Sequence, residues 1–227
     1  MPGDSRDDEA SGNLWSRPLR GARGPAPLYS RESIAATGIR IADDEGLEGL
    51  TMRAIARSLG TSAPSLYRYV TSREEILDLM VDAAIGTPPV VEPGPAWTEA
   101  MIALATAQLL HHRTHAWLIS ASLDVRNFGP NTLAWFESYL LAMEEVEAPA
   151  RAKLELIGLV TGLVSLFAQQ GRQTARATPA FDLLSAERHP HLTAALVEPG
   201  GSPAPETLFD RAVLAVCRGL VSTSREP

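Results

Sequence analysis

The chain has 227 residues, 45% apolar and 21% charged, with a formal net charge of -7, which fits a globular protein of one or two domains with a sizeable core. Its single cysteine, Cys217, excludes an intrachain disulfide and any multi-cysteine metal site, and reads as a small buried apolar residue. The longest apolar run, Leu154 to Ala168, is interrupted by Glu155 and is short for a bilayer span, and no signal peptide opens the chain, so no membrane association and a cytoplasmic location are expected.

Residues 1–28 are rich in Gly, Pro, Ser, Asp and Arg without apolar periodicity, and read as a disordered arm. Its residues allow two readings: an untethered tail, or a basic arm whose Arg17, Arg20 and Arg23 reach a minor groove. Ser30 can cap a helix running to about Glu45, with Ile34, Gly38, Ile41 and Ala42 on its inner stripe and Gly46 ending it.

Leu50 to Leu77 reads as two short helices about a glycine turn, followed by the start of a longer helix. Thr51 can cap a first helix through Leu59, in which Met52, Ile55, Ala56 and Leu59 share one face. Gly60 supplies the turn, Ser62 can cap a second helix over Ala63–Tyr69, and Pro64 suits its first turn. Leu66 and Val70 then face inward, while Arg68 and Pro64 face outward, flanked by Ser65 and Tyr67. Between Leu47 and Arg73, Arg53, Arg57, Arg68 and Arg73 oppose Glu48 alone, a net +3 within an acidic chain.

The pattern Leu50-Thr51-Met52-Arg53, Leu59-Gly60, Ser65-Leu66-Tyr67 and Ser72-Arg73-Glu74-Glu75 resembles the helix-turn-helix of the tetracycline-repressor (TetR) family of transcriptional regulators. The resemblance implies an all-α protein with a three-helix DNA-binding head over 29–86 and a helical-bundle domain for ligand and dimerisation over 96–222. It implies double-stranded operator DNA, a small-molecule effector and a second copy of the chain as partners. No cofactor is expected. Arg68 is the candidate for guanine readout, with Ser62, Ala63, Pro64 and Ser65 close to bases or backbone. Thr51, Arg53, Tyr67, Tyr69 and Arg73 are the candidate phosphate contacts. Arg68 and Tyr69 stand where the tetracycline repressor itself has Trp and His, so its operator does not carry over.

Ser72 with Glu75 reads as a capping box opening a helix through about Ile85, and the resemblance makes this helix the moving link between head and ligand domain. Arg73 either meets a phosphate or forms a solvated pair with a glutamate. Pro88, Pro89, Pro93 and Pro95 mark a linker. Further helices are expected at about Ala96 to His112, Ala116 to Leu123, Pro130 to Glu147, Pro149 to Gln170 and Glu206 to Val221, with a broken stretch holding Phe181–Glu187 and His191–Glu198.

Gly129-Pro130-Asn131-Thr132-Leu133-Ala134-Trp135-Phe136-Glu137 is similar to a segment recurring in TetR-like ligand domains. His115, Trp117, Phe128, Asn131, Trp135, Tyr139, Phe167 and Gln170 are the candidate effector residues, each aromatic being equally an ordinary core residue. By family resemblance, Leu156, Leu159, Gly162 and Leu163 with Phe209, Val213, Val216 and Leu220 form a four-helix dimer interface, against an intramolecular core role. His111, His112 and His115 suggest a metal-dependent enzyme as an alternative, but no carboxylate or cysteine nearby in sequence completes a ligand set, and no catalytic motif occurs. A DNA-binding regulator without a small-molecule ligand is the other alternative. Neither a metal nor an enzymatic activity is expected.

Overall fold

The computed structural model describes residues 14–17, 29–94, 96–173, 183–197 and 205–221; every regular element among them is a helix. It forms two compact units, Met1–Glu145 and Val146–Pro227.

In the first unit α1 (Arg31–Glu45) starts at Ser30, whose hydroxyl accepts from the Ser33 amide while the Ser33 hydroxyl accepts from the Ser30 amide. The helix stops at Gly46, which takes φ 75°, a conformation that costs glycine little. Gly38 matters for another reason: a Cβ there would lie 2.6 Å from Met80 Sδ, so glycine lets α1 approach α4 (Arg73–Ile85) closely. Between them, α2 (Met52–Ser58) is capped by Thr51, whose hydroxyl accepts from the Ala54 amide, and Gly60 at φ 68° turns the chain into α3 (Ala63–Leu66).

Helix α4 is apolar nearly all round, burying Ile76, Leu77, Leu79, Met80 and Val81 together with two aspartates, Asp78 and Asp82. Such a helix must be covered on several sides. It packs against α1 and also against α5 (Trp97–Thr114), α6 (Leu118–Leu123) and α7 (Pro130–Ala142). Helix α4 thus serves the head and the following helices at once, and the first unit runs through to Glu145, past the proline linker at which sequence reading places the boundary. Helix α7 ends at Ala142, short of the expected Glu147. Glu144, Glu145 and Glu147 would otherwise crowd the negative end of its dipole.

The arm also departs from expectation. Leu14 is 1% exposed and Arg17 is ion-paired, so at least Leu14–Arg17 is docked rather than free. Arg20 and Arg23 lie outside the described residues.

In the second unit α8 (Ala150–Gln173) and α10 (Pro205–Val221) pack together, with the Phe167 and Phe209 rings edge-on at 5.2 Å and Val160, Val164, Val213 and Cys217 buried. Of the broken stretch, residues 183–189 hold only turns, Phe181 lies outside the described residues, and α9 (Pro190–Val197) buries none of its side chains. By length and composition alone the 21 residues Ala150–Gln170 are apolar enough to cross a membrane, a property that core helices of soluble proteins share. A third of that apolar window is buried.

Candidate nucleic-acid interface

Two short helices cannot hold their own geometry, so the α2–α3 pair depends on its anchors. Leu50, Ile55, Leu66 and Val70 are at most 1% exposed and fix the pair to the head. The opposite side of α3 presents Pro64, Tyr67 and Arg68 to solvent, with Tyr67 half exposed. The helix itself closes at Leu66, and Tyr67–Tyr69 continue as a turn in which the Tyr69 and Val70 amides both donate to the Leu66 carbonyl. Tyr67, Tyr69 and Val70, three of the four residues that follow, have only modest helix propensity. Thr51, Arg53 and Arg57 are exposed nearby on the α2 side. Among the described residues this gives a basic surface with a protruding guanidinium and phenol.

Three candidates differ from their expected roles. Tyr69 is 5% exposed and belongs to the core of the head, so it offers a phosphate no accessible surface. Arg73 is exposed, but its guanidinium is engaged within the head: Nε and Nη2 donate to the Leu50 and Leu47 carbonyls at 3.1 and 2.9 Å, tying α4 to the loop before α2. The Ser62 hydroxyl makes no cap and pairs with the Ser65 hydroxyl at 2.8 Å. Ala63 and Ser65 are half-buried at the start of α3.

The expected capping box of α4 is only half formed. Ser72 Oγ accepts from the Glu75 amide, but the Glu75 carboxylate accepts from the Thr71 amide at 2.6 Å and from both Nη atoms of Arg17 at 2.8 and 2.7 Å.

The candidate effector residues fall into separate clusters. Asp82, 3% exposed, takes the Asn131 amide and the Thr132 amide and hydroxyl on its carboxylate, while Asn131 Nδ2 donates to the Asp82 carbonyl. Asp78 likewise accepts from the Arg126 amide and Asn127 Nδ2. Trp135 Nε1 donates to the Gly86 carbonyl at 2.9 Å, at the end of α4. Thus α7 is clasped to α4 at both ends of the contact, and Asn131 and Trp135 spend their polar groups on that clasp.

Tyr139, beside Trp135 at 6.2 Å, donates to Gln108 Oε1. Trp117 Nε1 donates to Asp43 Oδ1 at 2.7 Å, and His115 Nδ1 lies 2.9 Å from the same oxygen, so these two belong to a joint between α1 and the α5–α6 turn. Phe128 is half exposed against Phe136, Phe167 packs on Phe209, and Gln170 is exposed on α8. Sequence reading missed Asp43, Asp78 and Asp82. The signal available was two aspartates four apart on a helix otherwise apolar, which only paired carboxylates tolerate.

The three histidines diverge. His112 is buried with Nδ1 on the Gln108 carbonyl, His115 meets Asp43, and His111 sits edge-on to Trp135. Burial, and secondarily His115, hold the His111 imidazole below its ordinary range. No group of three or more His, Cys, Asp or Glu suited to a metal occurs among the described residues.

On the α8–α10 pair, Leu156, Phe209 and Val213 are at most 2% exposed and cannot face a second chain, because they are already buried in this one. Leu163, Val216 and Leu220 are half-buried. The open apolar surface is instead Leu154, Leu159 and Leu166, with Gly158 and Gly162 having nothing within 4 Å of a Cβ. A groove of about 400 Å³ along α10 adds Leu208, Ala212 and Ala215. Lined by one helix alone, it is a face and encloses nothing.

Fold and surface together define a helix-turn-helix protein with an all-helical body. Residues 34–80 match the family model of bacterial regulatory proteins, tetR family. The chain is 34% identical over 155 residues to the HTH-type transcriptional repressor DrrR1 of Streptomyces coeruleorubidus, covering 66% of this chain and 57% of that repressor's length. It is 28% identical to an HTH-type transcriptional regulator of Saccharopolyspora erythraea across 97% of this chain and 96% of the other. Among solved structures it resembles the Streptomyces coelicolor TetR family protein ActR in complex with actinorhodin, with TM-score 0.73 and 25% identity over 88% of this chain and all of ActR. ActR in complex with (S)-DNPA gives TM-score 0.73 and 27% identity over 87% and 99% of the two chains. In its matched head and in its fold the chain is similar to the tetR family of bacterial regulatory proteins.

Proposed function

We propose that the chain is a ligand-responsive transcriptional repressor that acts in the cytoplasm, binds palindromic operator DNA as a homodimer and is released by a small hydrophobic or aromatic molecule. The observation that carries this is the two-sided segment of α3 and the turn that follows it: Leu66 and Val70 locked inward, Pro64, Tyr67 and Arg68 outward beside exposed Arg53 and Arg57. In a major groove Arg68 would make the bidentate guanine contact, while Thr51, Arg53 and Tyr67 would hold phosphates without reading sequence. Two such helices must span about 34–36 Å, so the reading requires a dimer, for which the outer leucines of α8 are the exposed apolar surface.

Release requires an effector that binds the non-operator arrangement more tightly than the operator-bound one. The clasp between α4 and α7 supports a route: a molecule that parts Trp135 from Gly86 shifts α4, and α4 carries the head. The complexes of ActR with (S)-DNPA and with actinorhodin support a small-molecule effector. One observation favours the reading without a ligand: Trp135 and Tyr139 are 4% and 1% exposed and already hydrogen-bonded within the chain.

The test is selection of bound fragments from genomic DNA, followed by anisotropy titration of a selected operator and a scrambled duplex. Arg68→Ala is expected to cost about 1–3 kcal/mol on the operator and little on the scrambled DNA. Equal losses on both would refute the readout assignment, and no selected sequence at all would refute the regulator.

A further inference from the structure

We infer that the segment Leu14–Arg17 is a positioning element for DNA recognition, holding the end of the α3 turn, the start of α4 and the α4–α7 joint in one arrangement. The inference rests on the DNA-binding reading above and deepens it.

Three attachments carry it. Arg17 grips Glu75 with a two-pronged contact at 2.8 and 2.7 Å, with only 10% and 15% of the two side chains exposed. The paired geometry fixes orientation as well as distance. Next, the Arg17 carbonyl accepts from Arg31 Nη2 at 3.0 Å, while Arg31 Nε donates to the Tyr69 carbonyl at 3.1 Å. Arg31 therefore bridges the arm to the last residues of the recognition turn. Finally, Leu14 is buried, and Trp15 Cζ2 lies 2.4 Å from where a Cβ on Gly129 would sit, with Asp82 Cγ 2.3 Å from the same point. The arm thus seats on the residue that begins α7 and on the carboxylate that clasps it.

The recognition element needs such support. Its helix is one turn long, Ser62 gives it no side-chain cap, and a single turn does not maintain its own direction. Leu66 and Val70 fix its depth, but an apolar anchor is not directional; the Arg31 hydrogen bond to Tyr69 is. Truncating the Arg17 side chain takes the cation from Glu75 and frees the arm at its tightest attachment, so that the Arg17 carbonyl, though still present, is no longer held against Arg31. The arm then acts at a distance from DNA, in contrast to a basic tail lying in a groove.

These two roles differ in their dependence on salt. A residue that contacts phosphate contributes roughly 0.9 to the slope of log affinity against log salt, whereas a positioning residue contributes nothing to it. The experiment is anisotropy titration of the full chain and of Arg17→Ala and Arg17→Lys, on a selected operator and a scrambled duplex, over a series of salt concentrations. Arg17→Ala is expected to bind the operator roughly five- to tenfold more weakly, with scrambled-DNA affinity and salt slope unchanged. Arg17→Lys, which keeps the charge but not the fork, is expected to recover part of that loss, and it serves as the test if the alanine variant fails to fold. A slope reduced by about one, with equal losses on both duplexes, overturns the inference in favour of direct contact. Unchanged operator binding in both folded variants overturns it as well. Failure of the unmodified chain to prefer any selected sequence would instead overturn the DNA-binding reading beneath it.

Discussion

Asp82 Oδ1 accepts both the amide and the hydroxyl of Thr132, at 2.8 and 2.9 Å, so a buried carboxylate on α4 serves as the N-terminal cap of α7. Gly129, at the N-cap position, supplies no side chain of its own, and Asp82 fills that place from another helix. Replacing Asp82 with Ala leaves the first amides of α7 unpaired in a buried site and is expected to lower stability by about 2–4 kcal/mol. Thr132→Val, which keeps the amide contact, is expected to cost about 1 kcal/mol. Urea unfolding followed by circular dichroism measures both, and equal values would remove the cap from the account.

Tyr69 and Arg68 are neighbours with opposite fates, one buried and one exposed. Tyr69→Ala opens a cavity in the head and is expected to cost roughly 2–4 kcal/mol of folding stability. Arg68→Ala is expected to leave the urea midpoint within about 0.5 kcal/mol of the parent. A stable Tyr69→Ala protein that had lost DNA affinity would reinstate Tyr69 as a contact residue.

The Arg17–Glu75 pair predicts a dependence of stability on pH. Burial alone would push the Glu75 carboxyl up, but the hydrogen bonds from Arg17 and Thr71 outweigh it and hold the group below its ordinary value of 4.5. A carboxyl with a depressed native pKa adds stability that is complete above the unfolded value and is lost as pH falls through the native one. The parent should therefore lose stability from about pH 5 downward, and Arg17→Ala should lose less over the same interval because its carboxyl is no longer held so low. Urea midpoints at pH 7, 5, 4 and 3 decide it; parallel curves for the two proteins would count against the pair.

Leu159, half exposed on α8, should separate association from folding. Leu159→Glu is expected to convert a dimer into a folded monomer at micromolar concentration in light scattering. Phe209→Ala removes a ring buried against Phe167 and is expected to cost about 3–5 kcal/mol of stability. If Leu159→Glu stays dimeric, the outer face of the α8–α10 pair is not the interface.

Cys217 is fully buried, and desolvation pushes its thiol up to about 11. Because the thiolate is the reactive form, a disulfide reagent at pH 8 should leave the native protein unlabelled and modify one thiol per chain in urea. Rapid native labelling would show that α10 opens readily.

What the sequence determined by itself is the head. Capping hydroxyls at Ser30, Thr51 and Ser72, positive-φ glycines at Gly46 and Gly60, and an apolar stripe at helical spacing are local features, decided within a few residues of each other. They place Leu66 and Val70 inside and Arg68 outside without reference to the rest of the chain. Only tertiary structure decided the polar joints. Arg17 meets Glu75 across 58 residues, Asp43 meets Trp117 across 74 and Asp82 meets Thr132 across 50. Periodicity says which side of a helix is buried, but not which distant donor will satisfy a carboxylate buried there. The same gap explains why Leu156, Phe209 and Val213, expected at a dimer seam, are buried within the chain: Leu154 to Phe167 is apolar nearly all round, so its sequence cannot say which stripe α10 covers. Packing makes that choice, because two helices can bury only the stripes that their crossing brings face to face.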